Sequence, residues 1–229
     1  MKNLIVFGPP GAGKGTFSAI IQQILPNIVH ISTGDILRKN IKKKTFLGLK
    51  AEEYMNRGEL VPDQVVIDMI REKLKKPKVQ KYGFILDGFP RTLDQAKALS
   101  DITKIDLFLL LEVPRDVIKK RILGRFSCSE CGWLYNIYTL QPKEKIGKNK
   151  WICDNCGAEI EFQQRDDDTE ETLEKRLDVY EENSKPIIIY YENKGILKRV
   201  YAQNTLDLSE EEIKEIIEVE NTTSPSCLS

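Results

Sequence analysis

The chain has 229 residues, which suits one well-packed core with a small inserted unit and leaves little room for two full domains. Lys plus Arg number 35 and Asp plus Glu number 35, so the zero formal charge argues against a general nucleic-acid or membrane surface. No apolar stretch approaches the roughly 20 residues of a membrane span, and "MKNLIVFGPPG" shows neither a long apolar signal region nor a small-residue cleavage site, so the cytoplasm is the expected compartment.

The continuously apolar run "NLIVF" (3–7) reads as a strand covered on both faces, and a helix-like segment follows over 14–25. Between them lies "GPPGAGKGT" (8–16), with Gly8, Gly13 and Lys14 at the spacing of a phosphate-binding loop. In that setting successive backbone N–H groups and the helix N-terminus cradle phosphates, while Lys14 supplies a mobile positive charge. The alternative is a glycine-rich turn with an incidental lysine. Gly15 stands where the motif usually has its hydroxyl, and Thr16 brings the hydroxyl one residue later.

Further along, "IVHIS" (28–32) reads as a strand, followed by helix-like segments over 34–42, 46–57 and 63–75. A third strand, "FILDG" (84–88), places Asp87 at its carboxyl end, where open α/β sheets put residues that touch ligands. A helix-like segment over 92–100, the strand "LFLLLEV" (107–113) and a helix-like segment over 114–123 come next. From about 124 to 164 the helical period vanishes, and both tryptophans and four cysteines crowd into what reads as a compact insertion. Helical periodicity returns over 169–193, where Pro186 is expected to split it into two helices. The strand "ILKRVYA" (196–202), a helix over 209–219 and a frayed polar tail with Cys227 end the chain. Strands alternating with helices imply βαβ units in a mostly parallel, doubly wound sheet. The single histidine, His30, excludes multi-histidine sites, so any catalysis rests on Lys, Arg and Asp.

Cys128-x-x-Cys131 and Cys153-x-x-Cys156 are separated by 21 residues, close to the spacing of structural zinc ribbons. Each pair is followed by glycine, which lets two sulfurs turn toward one ion. Four thiolates without histidine favour a closed, structural Zn²⁺ site; two disulfides or a redox pair are the alternatives. The insertion has too little apolar material for a core of its own, so the metal is expected to supply its folding free energy.

Together with the glycine loop, "ISTGDILR" (31–38), "GELVPD" (58–63), "DGFPRT" (87–92), "GRF" (124–126) and "RDDDTEETLEKR" (165–176) resemble the adenylate kinase family. The match spans nearly the whole chain except the tail. The resemblance implies an α/β nucleoside-monophosphate kinase fold, a five-stranded parallel sheet with helices on both faces. It divides the chain into a core (1–31, 62–123 and 169–220), a nucleoside-monophosphate clamp (32–61), a zinc-bearing lid of the long type (124–168) and a flexible tail (221–229). The implied reaction is reversible transfer of the γ-phosphoryl group of ATP to AMP, giving two ADP, with Mg²⁺ accompanying ATP.

By the same resemblance, Gly11, Ala12, Gly13, Lys14, Gly15, Thr16 and Arg125 meet ATP, with Leu134 and Tyr135 against its base. Thr33, Arg38, Glu59, Leu60, Val61, Gly88, Phe89, Pro90, Arg91, Gln95, Arg165 and Arg176 meet AMP. Lys14, Asp87, Arg91, Arg121, Arg125, Arg165 and Arg176 form the catalytic set, and phosphoryl transfer asks mostly for such alignment and charge neutralisation. Arginine forks pair bidentately with phosphate oxygens, which explains arginine over lysine at these positions. Thr33 and Gln95 would read the adenine of AMP; as bare sequence they could equally be surface polar residues. Asp87 and Asp35 would stand near Mg²⁺, the carboxylate of Asp87 through water, or else serve as helix caps. A cis Phe89–Pro90 bond is also implied. The expected ligands are ATP, AMP and ADP, with no nucleic acid and no membrane, and a monomer. The rivals are a kinase for another base, decided partly by an unassigned loop near Gln203–Thr205, and a zinc-ribbon nucleic-acid module.

Overall fold

The computed structural model describes residues 1–162, 167–201 and 208–218. The first half runs β1 (Lys2–Phe7), α1 (Lys14–Ile24), β2 (Val29–Ser32), α2 (Thr33–Lys42), α3 (Phe46–Asn56), α4 (Asp63–Leu74), α5 (Pro77–Tyr82), β3 (Gly83–Asp87), α6 (Leu93–Ile102), β4 (Leu107–Glu112) and α7 (Arg115–Leu123). The insertion carries β5 (Arg125–Ser127), β6 (Leu134–Asn136), β7 (Glu144–Gly147), β8 (Lys150–Ile152) and β9 (Glu159–Glu161). The chain then returns through α8 (Glu170–Asn193), β10 (Leu197–Tyr201) and α9 (Glu210–Glu218).

Five parallel strands form one sheet in the order β10-β4-β1-β3-β2. Strand alternation splits its apolar residues between two layers. Ile5, Phe7, Leu86 and Phe108 pack with residues of α2 to α6 and α8, while Leu4, Val6, Ile85 and Leu109 pack with α1 and α9. Both faces are therefore covered, which is why the strands read as unbroken apolar runs. Central β1 pairs with β3 on one side and β4 on the other. The crossovers thus diverge at its carboxyl end, where a doubly wound sheet opens a crevice for ligands.

Three expectations need correction. The helix over 169–193 is continuous: Pro186 sits inside α8, on a solvent-facing position, as does Glu182 one turn earlier. Water can take the carbonyl left without a donor, and buried Ile187 and Tyr191 hold the far half against the core. Helix α5 went unexpected because it is short and lysine-rich and buries only Val79, so it has no apolar period. The insertion does own a small core: Phe126, Tyr135, Trp151 and Ile160 are buried around Cys128 and Cys153, with Phe162 edge-on to Phe126. Its two antiparallel sheets, β5-β6 and β7-β8-β9, have strands of only 3 or 4 residues, too brief to show alternation.

Candidate active site

The loop between β1 and α1 forms as its spacing demands. Gly13 caps α1 with φ 90°, a left-handed conformation that a side chain would strain, and the loop closes through Ala12 N–H donating to the Pro9 carbonyl at 3.1 Å. Lys14 Nζ folds back on the loop, donating to the carbonyls of Gly8 (2.9 Å) and Pro9 (2.8 Å). Arg121 from α7 donates to the carbonyls of Gly11 (3.4 Å) and Ala12 (3.3 Å), bracing the loop from behind. Gly15 and Thr16 begin α1 under the insertion: Leu134 Cδ1 lies 3.3 Å from where a Cβ on Gly15 would sit.

A second pocket opens beside the loop. Thr33, Gly34, Leu37, Arg38, Glu59, Leu60, Val61, Gly88, Arg91, Gln95 and Arg176 line it. Ser32 caps α2 and Thr92 caps α6, so neither Asp35 nor Asp87 serves as a helix cap. The turn before α6 contains the cis Phe89–Pro90 bond, with Phe89 and Pro90 buried beneath it. Gly88 is needed there, since a Cβ would fall 2.7 Å from Thr33 Oγ1, which donates to the Gly88 carbonyl at 2.9 Å. Thr33 and Gln95 are each only 2% exposed, so they are not surface polar residues. Gln95 accepts from Arg91 N–H at 2.7 Å and donates to Asp63 at 2.8 Å, which anchors the turn to α4.

Between loop and pocket the cations crowd together. Lys14 is pushed down to about 8, first by burial and then by the charges of Arg91, Arg176 and Arg125, against an upward pull from Asp87. Arg91 reaches solvent through the cleft mouth, yet protein packs around its guanidinium. Burial, followed by the charge of Arg176, takes it down to about 10. Arg176 is lowered too, again mainly by burial. Burial raises the Asp87 pKa, but His30 and Lys14 outweigh it and leave the carboxyl below its ordinary range. His30 Nε2 stands 3.7 Å from Asp87 Oδ2, too far for a hydrogen bond. Asp35 pairs with Arg38 at 2.6 Å, and its charge is felt at Asp87.

Two carboxylates that sequence reasoning passed over complete the site. Asp168, fully buried, takes a bidentate pair from Arg125 at 2.9 and 2.5 Å and lies 3.4 Å from Arg176. Asp167 lies 3.3 Å from Arg176 and 3.7 Å from Arg38, so it links α8 with α2. Their signal was the acidic run beside an arginine series, in the stretch "RDDDTEETLEKR" (165–176) that carries the family resemblance. Arg165, named from the sequence, lies outside the described residues, as do 203–205 and the tail with Cys227. Glu59 pairs with Arg57 at the pocket rim. Of the two residues expected against the ATP base, Leu134 faces the loop, while the Tyr135 side chain turns into the insertion's core.

The cysteines come together as their spacing foretold. All four Sγ atoms lie within 4.8 Å of one another, with Cys128 to Cys156 at 3.6 Å and Cys131 to Cys153 at 3.7 Å. Sulfurs placed tetrahedrally about 2.3 Å from an ion stand about 3.8 Å apart, so the donor set fits a metal ion, whereas a disulfide needs about 2.05 Å. The cysteines are free thiols here.

A doubly wound parallel sheet, a glycine loop at its switch point and a cleft lined with arginines define a phosphate-binding transferase of the P-loop class. The family model described as adenylate kinase matches residues 6–196. Adenylate kinase of Archaeoglobus fulgidus is 48% identical over 221 residues, covering 94% of this chain and 98% of its own. Those of Clostridium acetobutylicum (45%, covering 93% and 98%) and Acetivibrio thermocellus (46%, covering 92% and 95%) are similar as well. The chain belongs to the adenylate kinase family and is an enzyme of the ATP:AMP phosphotransferase class.

Proposed function

We propose that this chain catalyses reversible phosphoryl transfer from ATP to AMP with the ATP phosphates on the 8–16 loop and AMP in the pocket lined by α2, α3 and the 88–95 turn. One observation carries the assignment: Lys14, Arg38, Arg91, Arg125 and Arg176 arrive from five separate segments at one cleft between loop and pocket. A phosphate-phosphate reaction needs such a cluster, because charge spreads over the equatorial oxygens of the transferring group. An oxygen of the AMP phosphate forms a bond to Pγ as the bond from Pγ to the β,γ-bridging oxygen of ATP breaks, leaving two ADP. Lys14 follows the moving group; Arg91 and Arg38 hold the acceptor phosphate; Arg125, Arg165 and Arg176 close over the transferring one. Arg121 fixes the loop that receives the donor. Mg²⁺ enters with ATP as part of the substrate, with Asp87, and Asp35 behind it, placed to hold its waters. Thr33, Gln95 and the 59–61 segment form the acceptor base site.

We read 32–61 as the clamp, 124–168 as the lid and the remaining described residues as the core. The four lid cysteines hold Zn²⁺ as a closed structural centre with no open position for chemistry. Among the described residues no helix is long and apolar enough to cross a membrane, and a cytoplasmic monomer is the working form we infer. Rates with AMP, UMP, CMP and GMP, each against ATP and GTP, test the reading. AMP should be strongly preferred and Mg²⁺ required; turnover with UMP equal to that with AMP would overturn the adenine assignment. Arg91→Ala should raise KM for AMP far more than KM for ATP.

A further inference from the structure

The two cysteine turns of the lid match each other in backbone. Cys128 N–H donates to the Trp133 carbonyl at 2.9 Å and the Cys128 carbonyl accepts from Gly132 N–H at 3.0 Å; Cys153 N–H donates to the Ala158 carbonyl at 2.8 Å and the Cys153 carbonyl accepts from Gly157 N–H at 2.9 Å. The match ends at one side chain. Tyr135 lies on β6, the strand that the first turn feeds, yet its hydroxyl reaches the second turn, 3.4 Å from Cys153 Sγ. The same oxygen accepts Asp154 N–H at 2.7 Å, so the phenol's own proton is free to point at the sulfur. Its ring is 3% exposed and packs 5.5 Å from the Phe126 ring, which fixes the direction of the hydroxyl.

We propose that Tyr135 is a positioning residue of the metal centre, holding the Cys153 thiolate from across the lid. The inference rests on reading the four cysteines as a metal centre. A donated hydrogen bond takes part of the thiolate's charge and locks the ligand's direction, and such outer partners typically change metal affinity by 10–100-fold. The bond also joins the lid's two sheets by a route parallel to the metal. Because strand residues alternate, Leu134 on the same strand faces Gly15 while Tyr135 faces Cys153. The element that covers the donor loop is thereby fastened directly to a metal ligand.

The test uses the full chain, comparing the parent with Tyr135→Phe and, as a control, Tyr138→Phe at an exposed lid position. Each is loaded with Zn²⁺, its metal content measured, and transfer of the metal to a chromophoric chelator followed. Parent and both variants should bind one ion, with Tyr135→Phe releasing it on the order of tenfold or more faster and Tyr138→Phe behaving as the parent. In Co²⁺-loaded protein, the sulfur-to-cobalt charge-transfer band should move to lower energy in Tyr135→Phe, since the sulfur loses its donor; a purely structural role would not move it. In the parent alone, loaded with spin-active cadmium, the Tyr135 hydroxyl proton should couple to the ion through Cys153, so the idea stays testable if the variant folds poorly. Release within about twofold of the parent with an unmoved band, or no such coupling, overturns the proposal while leaving the metal reading intact. A parent that binds no metal overturns both.

Discussion

Lys14 shows how crowding sets a pH dependence. In the free enzyme its pKa is pushed down to about 8, mainly by burial, and a bound phosphate favours the charged form and raises it again. Below pH 8 the ammonium is already present and binding takes up no proton. Above it, each binding event takes one up, so affinity for ATP should fall by up to tenfold per pH unit until the pKa of the complex is reached. Calorimetry of ATP binding near pH 9, in buffers of different ionisation enthalpy, should show this uptake; a value of zero there would contradict it. Lys14→Met should keep the fold and lower turnover about 10²-fold or more, because its charge serves the phosphates and not the core. Asp168 makes the opposite case. It is the buried counter-charge shared by Arg125 and Arg176, and Asp168→Asn takes the bidentate carboxylate from Arg125 while Arg176 keeps Asp167. Such a change costs about 3 kcal/mol when a buried pair is broken. Thermal melts should show that loss together with reduced turnover, whereas a variant as stable as the parent would mean that Asp167 and solvent suffice to neutralise the two arginines.

At the scale of elements, α8 is the most informative. Pro186 interrupts its hydrogen bonding on an exposed face, so Pro186→Ala should stabilise the protein by about 1–2 kcal/mol: the helix regains a bond, and a more flexible unfolded chain offsets part of the gain. Denaturant titration would read this, and a loss of stability would mean that the ring packs where water was assumed. Gly48→Ala should do the reverse, since a Cβ there would lie 2.2 Å from the Asn40 carbonyl and force α2 from α3. A fall in stability of about 1–3 kcal/mol is expected. The same elements show what could be read in advance. The five parallel strands were legible because burial on both faces writes them as apolar runs, and the glycine loop because its spacing fits one backbone shape. Helix α5 and the lid strands were not, because each is too short or too exposed to leave a period. Tyr135 was named from the sequence only as a neighbour of the ATP base; its contact with Cys153 went unread because that cysteine stands 18 positions away and meets it only in the folded lid.

On the scale of the whole molecule, two cores serve the sheet, a small cluster joins α7 to α8, and a separate core serves the lid. A metal-dependent unit with its own small core should unfold on its own when the ion is removed. Calorimetry of the chelated protein should therefore resolve a lower transition for the lid, with the transition of the sheet domain shifted little; a single transition at an unchanged temperature would show the ion to be dispensable. Chelated enzyme should keep its AMP site while KM for ATP rises or turnover falls modestly. These bodies join through β6, where Asn136 Nδ2 donates to the Arg121 carbonyl at 2.9 Å, and through the neck of the insertion. At that neck Arg125, just after α7, and Asp168, just before α8, clasp each other in two hydrogen bonds. Strand order and register below the neck owe nothing to what lies beyond it. Its length, its ion and its heat tolerance could thus all be swapped, provided that the replacement still offers the arginine and aspartate at its two ends, an arginine in the place of Arg165, an apolar cover over Gly15 and the Asn136 hold on α7.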